Sequence, residues 1–444
     1  MSTDSIKQKF LGWRMIISAN FIDFISGGLA FYAYAVFFSF IQDEFSASRF
    51  LVSLTVSVMI LTAGLYSPLM GYILDRFSIR KVLTVGAVIY GLGLTLLSVV
   101  QSFYQFLFIY GALVSLGMVI FGNLSTSKLI SNWFRDKIGA ALGYAAIGLS
   151  FSGVIIPPIA VFLISNFTWR GAYLIFGIFV LVVCSYCAYK FIIDKPEDVN
   201  QHPDGKIDID TSEEVTKSET ITFNEILSKR VFWILTIIFT LQLSANLGVY
   251  THIPIYSQDL GFSPIQASWI FSVAAFNAAL GKIIFGNLLD RLGAKKTILV
   301  SLFFHGLGIA TLIFADNLLL LLFSVIVMGL GLGGTIPLMN STFAIAFGSS
   351  NFGKARGLVG PFMVPMQITA APLSGWLYDT FGNYTLAFSI NVVLCIVAGI
   401  VVLFLNLPDS CLLYTSEADD EGLGVDLGGR RIIKKNRGGG GGGG

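Results

Sequence analysis

The sequence predicts an all-α membrane protein, with twelve transmembrane helices arranged as two six-helix pseudo-repeats. Three observations predict it. Apolar runs long enough to cross a bilayer recur along nearly the whole chain. Charged residues make up only 12% of the sequence, roughly half the ~25% of a soluble domain. A charged turn sequence also occurs twice, at matching points of the two halves. With 55% hydrophobic residues and 39 Phe in 444 residues, the chain could not cover a globule of its size with polar surface. A soluble enzyme, a nucleic-acid binder and a disordered protein are excluded on that ground.

The first apolar run, at 14–40, follows a short polar N-terminus and has no small-residue cleavage site, so it reads as a span and not as a removable signal peptide. Runs at 52–74, 82–100, 104–132, 139–164 and 172–193 complete a first half, 1–193. Residues 194–231 are hydrophilic and read as a linker, with a short surface helix at 222–230 that starts on Thr222 as N-cap. The second half, 232–409, holds runs at 232–256, 265–288, 297–314, 317–346, 357–377 and 385–406. Each is near or above the ~20 residues that cross a bilayer core. Barrel strands would be about half as long and would alternate apolar with polar; these runs do not alternate.

From Ser410 the composition changes abruptly. CLLYTS at 411–416 and VDLGGRRII at 425–433 match translations of common sequencing adapters, and the chain ends in seven glycines. Residues 410–444 are therefore set aside as a read-through artefact. Cys184, Cys187 and Cys395 lie in apolar runs and Cys411 in this tail, which suggests neither a disulfide framework nor a metal site.

Basic residues favour the cytoplasmic side of a membrane. With the N-terminus inside, the inner segments carry nineteen Lys and Arg and the outer segments only Arg49 and Arg170. Both termini are expected in the cytoplasm, with the protein in the cell (inner) membrane.

The repeated turn is GYILDRFSIRK at 71–81 and GNLLDRLGAKK at 286–296, with five of eleven positions identical. Parallel halves of this kind mark transporters. Gly71 and Gly286 would let helices approach closely. Asp75 and Asp290, each followed by Arg76 or Arg291, would accept hydrogen bonds from neighbouring helix N-termini or basic residues and gate that side.

This doubled motif on a six-plus-six plan resembles the major facilitator superfamily, over residues 10–408. NWFRDKIGAALG at 132–143, Trp169-Arg170, Phe232-Trp233, THIPIYSQDLGFSP at 251–264 and GPFMVPMQITAAPLSGWLYDTFGNY at 360–384 resemble its monocarboxylate-transporter-like and oxalate–formate-antiporter-like members. Ser78, Ala294 and Ile138 depart from the usual motif residues. The resemblance implies that an Arg in N-x-x-x-R-x-x-x-G of span eight binds the substrate carboxylate. Here Lys282 stands four residues before Gly286, and Asn277 stands five before Lys282.

Ionisable side chains within spans are functional candidates by default. Lys282 lies eight residues before Asp290, roughly 12 Å from the membrane face, and is the anion anchor by this reading; a lysine snorkelling to the cytoplasm is the plainer alternative. Asp23, roughly 14 Å deep, is a candidate proton carrier or a structural partner of a cation such as Lys128. Lys128 is a weaker substrate candidate. His252 is a candidate proton-coupling or gating residue. Asn277, Asn123, Asn340 and Tyr32 are candidate substrate contacts; Tyr34, Gln242, Asn246, Tyr250 and Gln367 could line the same cavity. No nucleotide-binding loop, metal cluster or nucleophilic triad is visible, so neither an enzyme nor a cofactor is expected. The expected partners are a small organic anion, protons and the lipid bilayer, with no nucleic acid, and the expected state is a monomer. Two functions remain open: a secondary transporter that moves a small organic anion, a monocarboxylate first of all, by alternating access, as proton symporter, as antiporter or as carrier of another small solute, and a membrane sensor or assembly protein on the same scaffold.

Overall fold

A chain this apolar has to satisfy its backbone internally wherever it meets lipid, and the helix does so within one segment. The computed structural model describes residues 10–134, 138–145, 147–205 and 222–407, without the side chains at 67, 68, 71, 75, 138–140, 290, 349, 350, 352 and 353. It is helical throughout, with no strand among the described residues. Helix α1 is Gly12–Phe45, α2 Arg49–Arg76, α3 Ile79–Leu97 and α4 Phe103–Trp133. The 51-residue stretch Ala141–Phe191 is two arms, α5 and α6, broken at Thr168 with φ 63°. Then follow α7 Arg230–Tyr250, α8 Pro264–Leu292, α9 Ala294–Leu312, α10 Leu318–Phe347, α11 Ser349–Phe381 and α12 Thr385–Leu403. The chain is a multi-pass membrane protein.

Two expected spans differ in detail. The seventh, expected to run unbroken through 256, stops at Tyr250 and resumes as a short helix, Ile253–Asp259. Pro254 lies in the first turn of that second helix and has no N–H to continue α7. The eleventh starts at Ser349, eight residues earlier than expected, because Gly348 at φ 76° turns the chain directly from α10 into it. Most turns between spans are closed by side chains. Ser48 Oγ accepts from Leu51 N at 3.3 Å, and Ser102 Oγ from Gln105 N at 3.3 Å. Ser263 and Gln266 form a capping box at the start of α8. In the linker, Thr222 caps Phe223–Ser228 as expected, in a capping box with Glu225; residues 206–221 lie outside the described residues, as do 408–444.

Small residues set the closest helix contacts. A Cβ on Gly281 would lie 2.2 Å from the Leu330 carbonyl oxygen, and one on Gly333 would lie 2.1 Å from that of Ala278. Helices α8 and α10 thus touch backbone to backbone. The first six spans meet the last six along two seams, α2 against α11 and α5 against α8.

The buried apolar core is unevenly shared. One cluster fills the first six spans and continues through Val249, Phe271, Tyr384 and Phe388 of the last six. A second, separate cluster holds Phe232, Leu235, Phe285, Met339 and Val402, toward the linker. The two sets of helices therefore share a core at the end away from the linker and have separate cores at the linker end. Glycines report the same asymmetry. Cβ atoms on Gly286, Gly357 and Gly360 would meet nothing within 4 Å, whereas one on Gly375 would lie 2.6 Å from the Arg49 carbonyl oxygen. The expected close approach of helices at Gly286 is corrected on this point: in this conformer the glycine faces open space.

Candidate functional site

Helix α8 starts at the far end and descends toward the linker end. Cβ atoms tilt toward a helix N-terminus, so the Lys282 side chain sets off toward the middle of the bundle and not toward the nearer surface. There its Nζ donates to Ser150 Oγ of α5, across the seam. Lys282 is half-buried, and no carboxylate pairs with it among the described residues. Asn277 sits about 140° around the same helix. Its Nδ2 donates to the Val273 carbonyl at 2.8 Å, and its Cβ lies 3.2 Å from where a Gly329 Cβ would be, so it faces α10 and not Ser150.

Asp23 on α1 is 3% exposed. Thr126 Oγ1 donates to its Oδ1 at 3.0 Å, and Asn123 Nδ2 to its Oδ2 at 3.2 Å. Both partners come from α4 just after its interruption at Phe121 and Gly122. That break turns the polar start of a new helical segment toward Asp23. The Thr126 hydroxyl has a second acceptor in reach, the Asn123 carbonyl at 3.2 Å. Asn123 itself is exposed, so it stands between the buried carboxyl and open space.

Three rings from both sets of helices meet above this level. Tyr32 of α1 lies 6.2 Å from Tyr250 of α7 and 5.8 Å from Phe271 of α8, and the last two are 4.7 Å apart. Gly153 of α5 makes room for them: a Cβ there would lie 2.5 Å from Tyr32 Cε1 and 2.6 Å from Ala275 Cβ.

Beyond the rings, toward the far end, charged side chains tie the two sets of helices together. Arg49, at the start of α2, forms a bidentate pair with Asp259 at 2.6 and 2.7 Å. Its guanidinium lies 3.5 Å from the Tyr378 ring centroid and donates to Tyr384 Oη at 2.9 Å. Asp379 accepts from the backbone N–H groups of Arg49 at 3.0 Å and Phe50 at 2.8 Å. His252 is sealed beneath, fully buried. Its Nε2 faces the Ala371 carbonyl at 3.0 Å and Ser53 Oγ at 3.2 Å, and its Nδ1 faces Tyr384 Oη at 2.9 Å. A carbonyl can only accept, so Nε2 carries the proton and Nδ1 accepts from Tyr384. Of this cluster, sequence reasoning named only His252 as a candidate. The available signal was Arg49 as one of two outer cations, with Asp259 and Asp379 placed on the same side.

Asn340, exposed on α10, accepts from Arg356 Nε of α11 at 3.1 Å, toward the linker end and apart from Lys282. In the repeated turns, the Arg76 guanidinium stacks 4.1 Å from the Tyr72 ring, and Arg291 is exposed. The side chains of Asp75 and Asp290, and the surroundings of Gly71, lie outside what is described. Gln242 donates to Ser301 Oγ at 3.1 Å and so ties α7 to α9. Tyr34 donates to the Val52 carbonyl at 2.6 Å.

A family model of the Major Facilitator Superfamily matches residues 21–267 and 247–437. Among curated proteins, monocarboxylate transporter 12 of Xenopus laevis is 25% identical over 394 residues, covering 86% of this chain and 85% of that one. Monocarboxylate transporter 13 of Rattus norvegicus is 25% identical over 412 residues, covering 92% of each. Among solved structures, a bacterial homolog of the human lysosomal transporter Spinster, in an inward-facing and unoccupied conformation, superposes with a TM-score of 0.68 at 13% identity, over 90% of this chain and 97% of that one. That likeness extends to the fold. The twelve helices, the doubled turn and the family match together place this chain in the major facilitator superfamily, among proteins similar to monocarboxylate transporters.

Proposed function

We propose that this protein is a secondary active transporter that carries a small organic monocarboxylate across the membrane by alternating access, with Lys282 as the anion anchor. The observation that carries the reading is a cation within the bundle whose partner is a serine hydroxyl. A charge removed from water needs a counter-charge, and an entering carboxylate is the group that supplies it. The names of the curated relatives support the substrate class.

The basic residues support a linker end in the cytoplasm, with both chain termini there. On that orientation the far end is the outer side, and the conformer is closed outside and open inside. Arg49, Asp259, Asp379, Tyr384 and His252 form the outer gate, and the Asp75 and Asp290 turns form its inner counterpart when the cycle reverses. Asp23 couples protons. When it is charged, Thr126 and Asn123 both donate to it. When it is protonated, the Thr126 hydroxyl turns to the Asn123 carbonyl and accepts from Asp23, so both forms keep their hydrogen bonds.

The test is carboxylate binding to purified full-length protein by calorimetry, with a thermal melt of each variant. Leaving a buried anion without its partner costs about 3–5 kcal/mol, so Lys282→Gln should lower affinity by roughly a hundred-fold or more while the melt is preserved. Lys282→Arg should retain part of the binding. A Lys282→Gln variant that binds as tightly as the parent refutes the reading and moves the search to Lys128.

A further inference from the structure

We infer that Asn246 and Tyr250 form a second recognition point in the same cavity, specific for a hydroxyl group remote from the carboxylate. This rests on Lys282 holding the carboxylate. The observation is a pair of orphaned polar atoms. Asn246 Oδ1 and Tyr250 Oη are both buried and have no hydrogen-bond partner among the described residues, although buried polar groups in folded proteins are paired in the great majority of cases. The Tyr32 hydroxyl comes near Tyr250 Oη but outside hydrogen-bonding geometry. Elsewhere on α7, Thr236 and Thr240 donate back to the carbonyls of Phe232 and Thr236 at 2.7 and 2.6 Å, and the Gln242 amide donates to Ser301, while Gln242 Oε1 and Ser244 Oγ are also unpaired. The two orphans stand four residues apart, and such residues share one face of a helix.

That face looks onto the proposed site. The Tyr250 ring packs against Tyr32 and Phe271, and Tyr32 rests on Gly153. Gly153 is three residues, about 4.5 Å of helix rise, from Ser150, which holds Lys282 Nζ. Lys282 is thus linked to the Tyr250 end of that face through Ser150, Gly153 and the Tyr32 ring, with ring faces along the way. The chemistry of the pair selects the group. Tyr250 Oη donates and Asn246 Oδ1 accepts. A hydroxyl satisfies both at once, by accepting from Tyr250 and donating to Asn246. A carbonyl satisfies only the tyrosine, and a hydrocarbon neither. The substrate class is a monocarboxylate with a distal hydroxyl and a flat apolar middle.

The probes are 4-hydroxybenzoate and benzoate, bound to the purified full-length protein by calorimetry. The parent should bind 4-hydroxybenzoate about tenfold tighter, since a site built to pair a hydroxyl discriminates against the analogue lacking it. Tyr250→Phe keeps the ring packing and should reduce that preference several-fold, and Asn246→Leu should do the same, each with benzoate affinity and thermal melt unchanged. Equal affinity of the parent for the two acids, or no binding of either, overturns the inference. So does a preference that survives both substitutions. Lys282→Gln separates this from the anchor reading: if it still binds both acids with the preference intact while Tyr250→Phe loses it, the hydroxyl site stands and the anchor lies elsewhere.

Discussion

Asp259→Asn should unlatch the outer side. The substitution keeps the shape of the side chain and removes the charge opposite Arg49. The Arg49 side chain is 7% exposed and that of Asp259 29%, so the pair is largely withdrawn from water. Removing one member of a buried pair costs about 3–5 kcal/mol, because the other charge is left uncompensated. Partial solvation of Asp259, the Tyr378 ring over the guanidinium and the nearby Asp379 carboxylate offset some of that, which points to the lower end, about 3 kcal/mol. In an outward-open conformer both groups would be hydrated, so the cost falls on the closed form alone. The ratio of closed to open should then shift by about a hundred-fold. Spin labels at Gln101 and Asn383, both exposed in turns at the far end of the two sets of helices, report it by pulsed electron spectroscopy. The parent should give a short separation, the variant a longer one. Arg49→Ala combined with Asp259→Asn should restore part of the short population, since the stranded charge is gone. An unchanged distance distribution in Asp259→Asn would refute the assignment of this cluster as a gate.

Three further outcomes follow from the same geometry. Asp23→Asn should leave exchange of labelled carboxylate across vesicles intact while abolishing its acceleration by an imposed pH gradient; continued acceleration would remove Asp23 from proton coupling. Asp290→Asn should lower turnover several-fold with equilibrium binding almost unchanged, because the residue lies in the last helical turn of α8, eight residues beyond Lys282; loss of affinity with normal turnover would contradict a gating role. Gly333→Val should destabilise by about 3 kcal/mol or more, since the added carbon meets the Ala278 carbonyl and overpacked cores lose stability to such contacts; an unaltered melting temperature would show that the α8–α10 contact relaxes freely.

The helices were legible because lipid leaves the backbone few options: an apolar run of about twenty residues must be a helix. Their interruptions were less so. The break after Tyr250 had a visible cause in Pro254, but Thr168 takes φ 63° without a glycine or proline to announce it. Within the site, Lys282 and Asp23 stood out as charges among apolar residues. Their partners did not. Ser150 and Thr126 are among many hydroxyl residues in the spans, and such a residue usually bonds its own helix, so only the packing of α5 on α8 and α4 on α1 singles them out. Arg49 and Asp259 are separated by 210 positions, and nothing local to either sequence says that they meet. Asn277 was placed with Lys282 by spacing to a motif, whereas helical rotation turns it onto a different neighbour.

The start of α2 has one consequence beyond joining the far ends of the two sets of helices. Two side chains cap that helix. Ser48, from its own chain end, serves Leu51 N, while Asp379, reaching across from α11, serves the N–H groups of Arg49 and Phe50. When the seam parts, the visiting carboxylate leaves with α11 and the resident cap stays. Two backbone donors are uncovered, and they are uncovered at an aqueous surface where water can take them up. The helix can therefore let go of its neighbour without fraying, so the proposed alternating access would make and break this link with no change in secondary structure.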